Sequence, residues 1–256
     1  MKEALVYLLA ITIAEVLNVT IGPVWGITCH IIVLVALIPH SALTRRQTHQ
    51  QLLLSLALVP LVRIISLSMP LADIPPIWWY PLIYAPLLVA TVMVVRILNL
   101  RARDIGLSVS FRLFPLQLAA VLSGFVIGVA EYFILKPEAV VIEFTWQEVW
   151  LPALIFIVCT GFVEEFMFRG VLQRIAVGAF GWWGIVYISL LFAVVHMVHY
   201  PEVGRNALLI VIDIVFVFGI ALFFGWVVKK TGSLLAVTLS HGIANTVLYL
   251  VVPFFL

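Results

Sequence analysis

Residues 206–228 read NALLIVIDIVFVFGIALFFGWVV, with Asp213 as their one charged side chain. A helix of this length rises about 35 Å at 1.5 Å per residue, enough to cross a hydrocarbon core roughly 30 Å thick. A membrane-barrel strand would instead be about 10 residues long and alternate in polarity. The run is unbroken, so it reads as a transmembrane helix. Similar apolar windows place further helices at about 3–21, 24–39, 51–69, 77–98, 113–135, 149–172, 182–200 and 232–254. The whole chain agrees: 64% of its 256 residues are hydrophobic and 10% are charged. A soluble domain carries about 45–50% apolar and about 25% charged residues. A mean hydropathy of +1.23 leaves too little polar surface for a cytosolic domain. Disordered chains and nucleic-acid-binding domains are excluded on the same ground. The expected fold is all-α, a polytopic transmembrane helical bundle of about 8–9 spans, forming one membrane domain over residues 1–256.

Several local readings refine this count. The second window is short and follows Gly22-Pro23, which suits a re-entrant segment. Pro39, Pro70, Pro75, Pro76, Pro137 and Pro201 are expected in connections, and Pro152 in the first turn of the sixth helix. The opening run MKEALVYLLAITIAEVLNV lacks a small-residue cleavage site and reads as a first membrane helix. Cys29 and Cys159 lie inside apolar runs, as buried thiols do. Trp78, Trp79, Trp146, Trp150, Trp182 and Trp183 fall near span ends, as interface anchors do.

Charge asymmetry sets the expected orientation. Alternate connections carry Arg45 and Arg46; Arg96, Arg101, Arg103 and Arg112; Arg174; and Lys229 with Lys230. The intervening ones carry Asp73; Lys136 with Glu138 and Glu143; and Glu202 with Arg205. Basic loops stay cytoplasmic. The N-terminus is therefore expected inside and the C-terminus outside, in an integral multi-pass protein whose constant partner is the bilayer.

Ionisable groups inside spans cost about 2.5–3.5 kcal/mol each at mid-bilayer. Glu15, Arg63, Glu131 and Asp213 are scattered, one to a helix, and read as partnered structural charges or groups near helix ends. A denser group begins in the sixth helix, TGFVEEFMFRGVLQR. On an α-helix Arg169 lies about 40° from Glu165 and about 140° from Glu164. Glu165 and Arg169 therefore form an i,i+4 ion pair, while Glu164 faces elsewhere without a local cation. A carboxylate so placed is a candidate general base near neutral pH. Gly161, one turn earlier, leaves room for a close helix or a substrate backbone. In FAVVHMVHY, Phe192 and His196 share a face and His199 joins them at i,i+3. In LSHGIANTV, His241 and Asn245 project together. Taken singly, each could be a salt bridge or interhelical hydrogen-bonding glue.

Together they fit peptide hydrolysis. Glu164 and His196 would hold and activate a water, and His241 and Asn245 offer N–H donors for an oxyanion hole. No nucleophilic Ser or Cys stands beside them, and no G-x-S-x-G elbow is present. Direct attack by water is the simpler chemistry.

Glu164-Glu165-Phe166-Met167-Phe168-Arg169, Phe192-Ala193-Val194-Val195-His196 and His241-Gly242-Ile243-Ala244-Asn245 match EExxxR, FxxxH and HxxxN in order. The chain thereby resembles the CAAX protease and bacteriocin-processing (CPBP) family of intramembrane glutamic endopeptidases, which includes the Ras-converting CAAX endopeptidase. Arg103-Asp104-Ile105-Gly106-Leu107 is similar to a segment of prokaryotic members. The resemblance is strong over about 150–250 and is only a hydrophobic pattern in the first half. It implies Glu164 as base with His196 as helper, and His241 with Asn245 as the oxyanion hole. Glu165 and Arg169 are supporting, as are Phe192 and His199. Residues 113–256 are expected to form the catalytic helical core and 1–112 accessory helices. The substrate would be a peptide or protein at the membrane; some family members act on prenylated C-termini. No cofactor and no nucleic-acid partner are expected.

Other readings remain at this stage. A zinc-dependent intramembrane protease could use Glu164, His196 and His241 as ligands, although HExxH is absent; metal analysis and chelation test it. A proton-coupled transporter would recruit Glu15, Arg63, Glu131 and Asp213. A non-enzymatic membrane scaffold or immunity protein would tolerate Glu164→Gln. The drawn spans put Glu164 and His241 in the cytoplasmic half, with His196 deeper.

Overall fold

A computed structural model describes residues 2–110, 113–199 and 206–256, without the side chains of 198 and 199. Among these residues the regular structure is entirely helical. The main helices are α1 (Lys2–Thr20), α2 (Pro23–Leu43), α3 (Gln47–Ser68), α4 (Pro76–Ile97), α5 (Phe114–Leu135), α6 (Trp146–Phe180), α7 (Trp183–Val195), α8 (Ala207–Thr231) and α9 (Leu235–Phe255). Eight of them are long and apolar enough to cross a membrane, and α7, with 13 residues, is shorter. The chain is an integral, multi-pass membrane protein. Helices are the form its sequence can take in lipid, because every backbone N–H and C=O must be satisfied within the segment. Val6, Val24, Ile32, Val89, Val126 and Val215 are exposed on the outside of the bundle, where acyl chains solvate them. Trp78, Trp146 and Trp183 are exposed near helix ends.

Several boundaries differ from expectation. Pro76, expected in a connection, is the first residue of α4, where its missing N–H costs little. α2 is a full-length helix of 21 residues rather than a short re-entrant one, and Pro39 lies inside it. A proline so near the end removes one backbone hydrogen bond in a turn that already frays, so the helix runs on to Leu43. Pro152 is in the interior of α6, because that helix begins earlier, at Trp146, with Thr145 as its N-cap. α7 stops at Val195, and the chain tightens into a 3₁₀ turn over His196–His199. The expected positions of Arg112, Pro201, Glu202 and Arg205 lie outside the described residues. Cys29 and Cys159 are both free thiols; Cys159 is buried and Cys29 half-buried.

Two of the dispersed charges are partners of each other. Glu15 of α1 and Arg63 of α3 are both buried. Arg63 donates from Nε to Oε1 at 2.6 Å and from Nη2 to Oε2 at 3.1 Å. His30 of α2 adds its Nε2 at 3.1 Å from Glu15 Oε1. One carboxylate thus joins three helices, and Arg63 with its two N–H bonds uses the forked geometry suited to it.

Small residues bring α9 against its neighbours. A Cβ on Gly161 of α6 would come within 2.5 Å of the Thr238 carbonyl, and one on Gly242 of α9 within 2.6 Å of Ile157 Cα. Gly161 therefore admits a helix rather than a substrate backbone, a crossing that small residues allow. Gly124 and Gly128 of α5 play the same part against Ser240 and Ala244 of α9. The connection between α4 and α5 packs inward. Ile105 is buried, Gly106 takes a left-handed φ of 75°, and its carbonyl accepts the Leu234 N–H at 3.0 Å.

Candidate active site

α6 carries the acidic pair through a widened stretch. Past Pro152 its backbone winds with i→i+5 hydrogen bonds over Phe156–Glu164 and again over Phe166–Leu172. Such π turns cluster at functional sites. They rotate successive side chains by less than the 100° step of an α-helix, and the two glutamates still diverge. Glu165 turns into the protein with its side chain wholly buried, as is that of Arg169; Arg169 Nε lies 3.3 Å from Glu165 Oε2. The expected ion pair forms. Its angles do not make a hydrogen bond, and the guanidinium is held further by the Phe192 ring, 4.3 Å from Cζ to centroid. This cation–π contact gives Phe192 a role beyond sharing a face with His196.

Glu165 has a second partner that helix spacing could not disclose. His241 of α9 places Nδ1 2.9 Å from Glu165 Oε1. A carboxylate only accepts, so Nδ1–H donates, and the ring is fixed with Nε2 facing away from Glu165. His196 is fixed in the same manner: Nδ1 lies 2.8 Å from the Phe192 carbonyl, which also only accepts. Its Nε2 points elsewhere.

Both Nε2 atoms turn toward Glu164. Its Oε2 is 3.9 Å from His196 Nε2 and 4.0 Å from His241 Nε2. Its Oε1 accepts a hydrogen bond from the Tyr84 hydroxyl of α4. Glu164 Oε2 itself has no hydrogen-bond partner among the described groups. Asn245, one turn beyond His241, donates from Nδ2 to Thr160 Oγ1 at 2.9 Å, and Thr160 passes its own proton to the Phe156 carbonyl. The amide is thereby oriented, with one N–H left over.

Glu164, His196, His241 and Asn245 all line one cavity of about 490 Å³. Their side chains are not sealed: Glu164 is 11% exposed, His196 17% and His241 12%, against zero for Glu165 and Arg169. Phe192 also lines the cavity, whereas Glu165 and Arg169 stand behind it. His199's side chain lies outside the described residues. Of the scattered charges, Arg63 and Glu131 reach the cavity, and Glu15 and Asp213 do not. The apparent mismatch of depth disappears because α6 runs on to Phe180: Glu164 lies well inside that helix, at the level His196 reaches at the far end of α7. Among the described residues, no group of three His, Cys, Asp or Glu is arranged to hold a metal ion.

Tyr84 and Thr160 were not legible as site residues. Thr160 did leave a signal, lying four residues before Glu164 and thus close to its face. Tyr84 left none, being one aromatic among many in an apolar span.

Residues 145–247 match the Rce1-like family, described as type II CAAX prenyl endopeptidase Rce1-like. No curated protein and no solved structure matches the chain. The matched segment runs from the start of α6 into α9 and contains all three motifs. Over that segment the chain is similar to type II CAAX prenyl endopeptidases of the Rce1-like family.

Proposed function

We propose that this protein is an intramembrane glutamic endopeptidase that hydrolyses a peptide bond by direct attack of water. The observation that carries this reading is the meeting of Glu164 Oε2 with two imidazole Nε2 atoms, at 3.9 and 4.0 Å, on the wall of one cavity. These separations are too long for direct hydrogen bonds. They suit one water oxygen bonded at about 2.8 Å to Glu164 and to His196.

The fixed tautomers assign the roles. His196 has its Nδ1 proton committed to Phe192 and, when neutral, offers a lone pair at Nε2 that orients the water. Tyr84 occupies Glu164 Oε1 and leaves Oε2 to take the water's proton. The hydroxide oxygen bonds to the substrate carbonyl carbon, and the carbonyl oxygen becomes an oxyanion. The spare Asn245 N–H is one donor for it. His241 is the other when its ring carries both protons, with Glu165 as counterion at Nδ1. Glu164 then returns its proton to the leaving nitrogen as the C–N bond breaks. Water and a peptide become an acid and an amine, and the site ends as it began.

The test is Glu164→Gln, which keeps the acceptor for Tyr84 and removes the base. Hydrolysis of fluorogenic peptides by purified protein should fall at least 10²–10⁴-fold, with thermal stability preserved. His196→Ala should lose activity comparably. Wild-type turnover by Glu164→Gln would refute the assignment. Loss of wild-type activity on chelation would move the reading to a metal enzyme.

A further inference from the structure

We infer that the cavity takes its substrate from the face opposite the basic loops, so that the peptide cleaved lies on the non-cytoplasmic side of the membrane or at its outer leaflet. This rests on the peptidase reading and adds the location of the substrate.

The lining residues are distributed unevenly along the helices. In α3 they fall at 62–66, in α4 at 76–87 and in α5 at 127–131, each the half farther from a basic connection. In α7 they are 192 and 195, with His196 just beyond the helix end. α6, α8 and α9 contribute their middles, 160–168, 217–224 and 241–249. The lining residues that are themselves exposed are Pro76, Trp79 and Glu138. All three belong to the start of α4 or to the connection between α5 and α6. The mouth is therefore at that end.

The opposite end is closed by packed side chains. Leu52, Leu53 and Leu56 of α3, with Leu172 of α6 and Val237 of α9, are almost wholly buried there. The α4–α5 connection adds a cap: Ile105 is inserted, a Cβ on Gly170 would come within 2.9 Å of its carbonyl, and Gly106 is tied to Leu234. This is the end that carries Arg45, Arg46, Arg96, Arg101, Arg103, Arg174, Lys229 and Lys230. Such a bias holds a membrane face in the cytoplasm. The mouth end carries Asp73, Glu138, Glu143 and Glu148 beside Lys136. Water and peptide can thus reach Glu164 past Glu138, whereas the cytoplasmic route is filled.

Thiol labelling in cells tests this without turnover. In a background with Cys29→Ala and Cys159→Ala, single cysteines are placed at the rim (Glu138→Cys), inside the cavity (Ile220→Cys) and on the basic face (Arg45→Cys). A membrane-impermeant maleimide is applied to intact spheroplasts and to inverted vesicles. The expected result is labelling of Glu138→Cys and Ile220→Cys at least tenfold faster in spheroplasts, and of Arg45→Cys only in inverted vesicles. Labelling of Glu138→Cys only in inverted vesicles would overturn the orientation. Labelling of Ile220→Cys from the basic face, or only by a lipid-soluble maleimide, would overturn the entry route. Repeating the series with Glu164→Gln separates the questions: the labelling pattern should persist whether or not the protein cleaves peptides.

Discussion

Removing the Glu165 carboxylate tests how the buried framework supports the cavity wall. In Glu165→Ala the Arg169 guanidinium, with a wholly buried side chain, loses the anion 3.3 Å from its Nε. Two unit charges at that separation attract by about 5 kcal/mol at an effective dielectric constant of 20. Breaking a buried pair from one side costs about 3–5 kcal/mol, because the remaining charge keeps its desolvation penalty. His241 Nδ1–H, 2.9 Å from Glu165, also loses its acceptor, worth about 1–3 kcal/mol, although the two losses do not simply add. The expected destabilisation is about 3–5 kcal/mol. At about 2–4 °C per kcal/mol for a chain of this size, Tm falls by about 6–20 °C. The assay is thermal unfolding of purified protein in one detergent, beside Glu165→Leu/Arg169→Met. That double variant removes both charges and should recover most of the stability. It should remain poorly active, because nothing then fixes the His241 ring. A wild-type Tm for Glu165→Ala, or a double variant no more stable than the single one, would refute the reasoning.

Three further outcomes follow from the geometry. Asn245→Ala should lower kcat about 10²–10³-fold with little change in KM, as loss of one oxyanion donor does, whereas Thr160→Val, which only releases the amide from its 2.9 Å anchor, should lower it about tenfold; steady-state hydrolysis of a fluorogenic peptide measures both, and an unchanged kcat for Asn245→Ala would contradict the donor role. Arg63→Ala should destabilise by about 3–5 kcal/mol, because Glu15 is left buried with His30 as its remaining partner; thermal unfolding should show Glu15→Leu/Arg63→Met restored toward wild type, and an unperturbed single variant would contradict the partnered reading.

Much of the site was legible because it is written locally. Glu164, Glu165 and Arg169 are neighbours on one helix, and Phe192 with His196, like His241 with Asn245, is a four-residue step. Helical periodicity was enough to part the two glutamates and to pair Glu165 with Arg169. It could not show that Glu165 also binds His241, because those residues are 76 apart in the chain. Nor could it join Glu15 to Arg63 across 48 positions, or bring in His30. Tyr84 and Thr160 escaped for the same reason: a hydroxyl in an apolar run carries no sign of its partner. The error at Pro39 came from reading proline as punctuation, and that at Pro152 from starting its helix too late, whereas a membrane helix tolerates proline near its ends and in its interior when the backbone can adjust.

The sequence alone determined that this chain lives in a bilayer as helices. Its long apolar runs are the thickness of the hydrocarbon core, and a backbone in lipid must satisfy itself. Sequence also named the four side chains of the proposed site, since two helical periods and an acidic pair expose them. Only the tertiary structure decided that the four share one cavity, which ring nitrogen of each histidine faces Glu164, and at which end the cavity opens. Those are matters of helix rotation and depth. They are set by glycine-mediated crossings and by the length of α6, which runs on to Phe180, features that no local periodicity records.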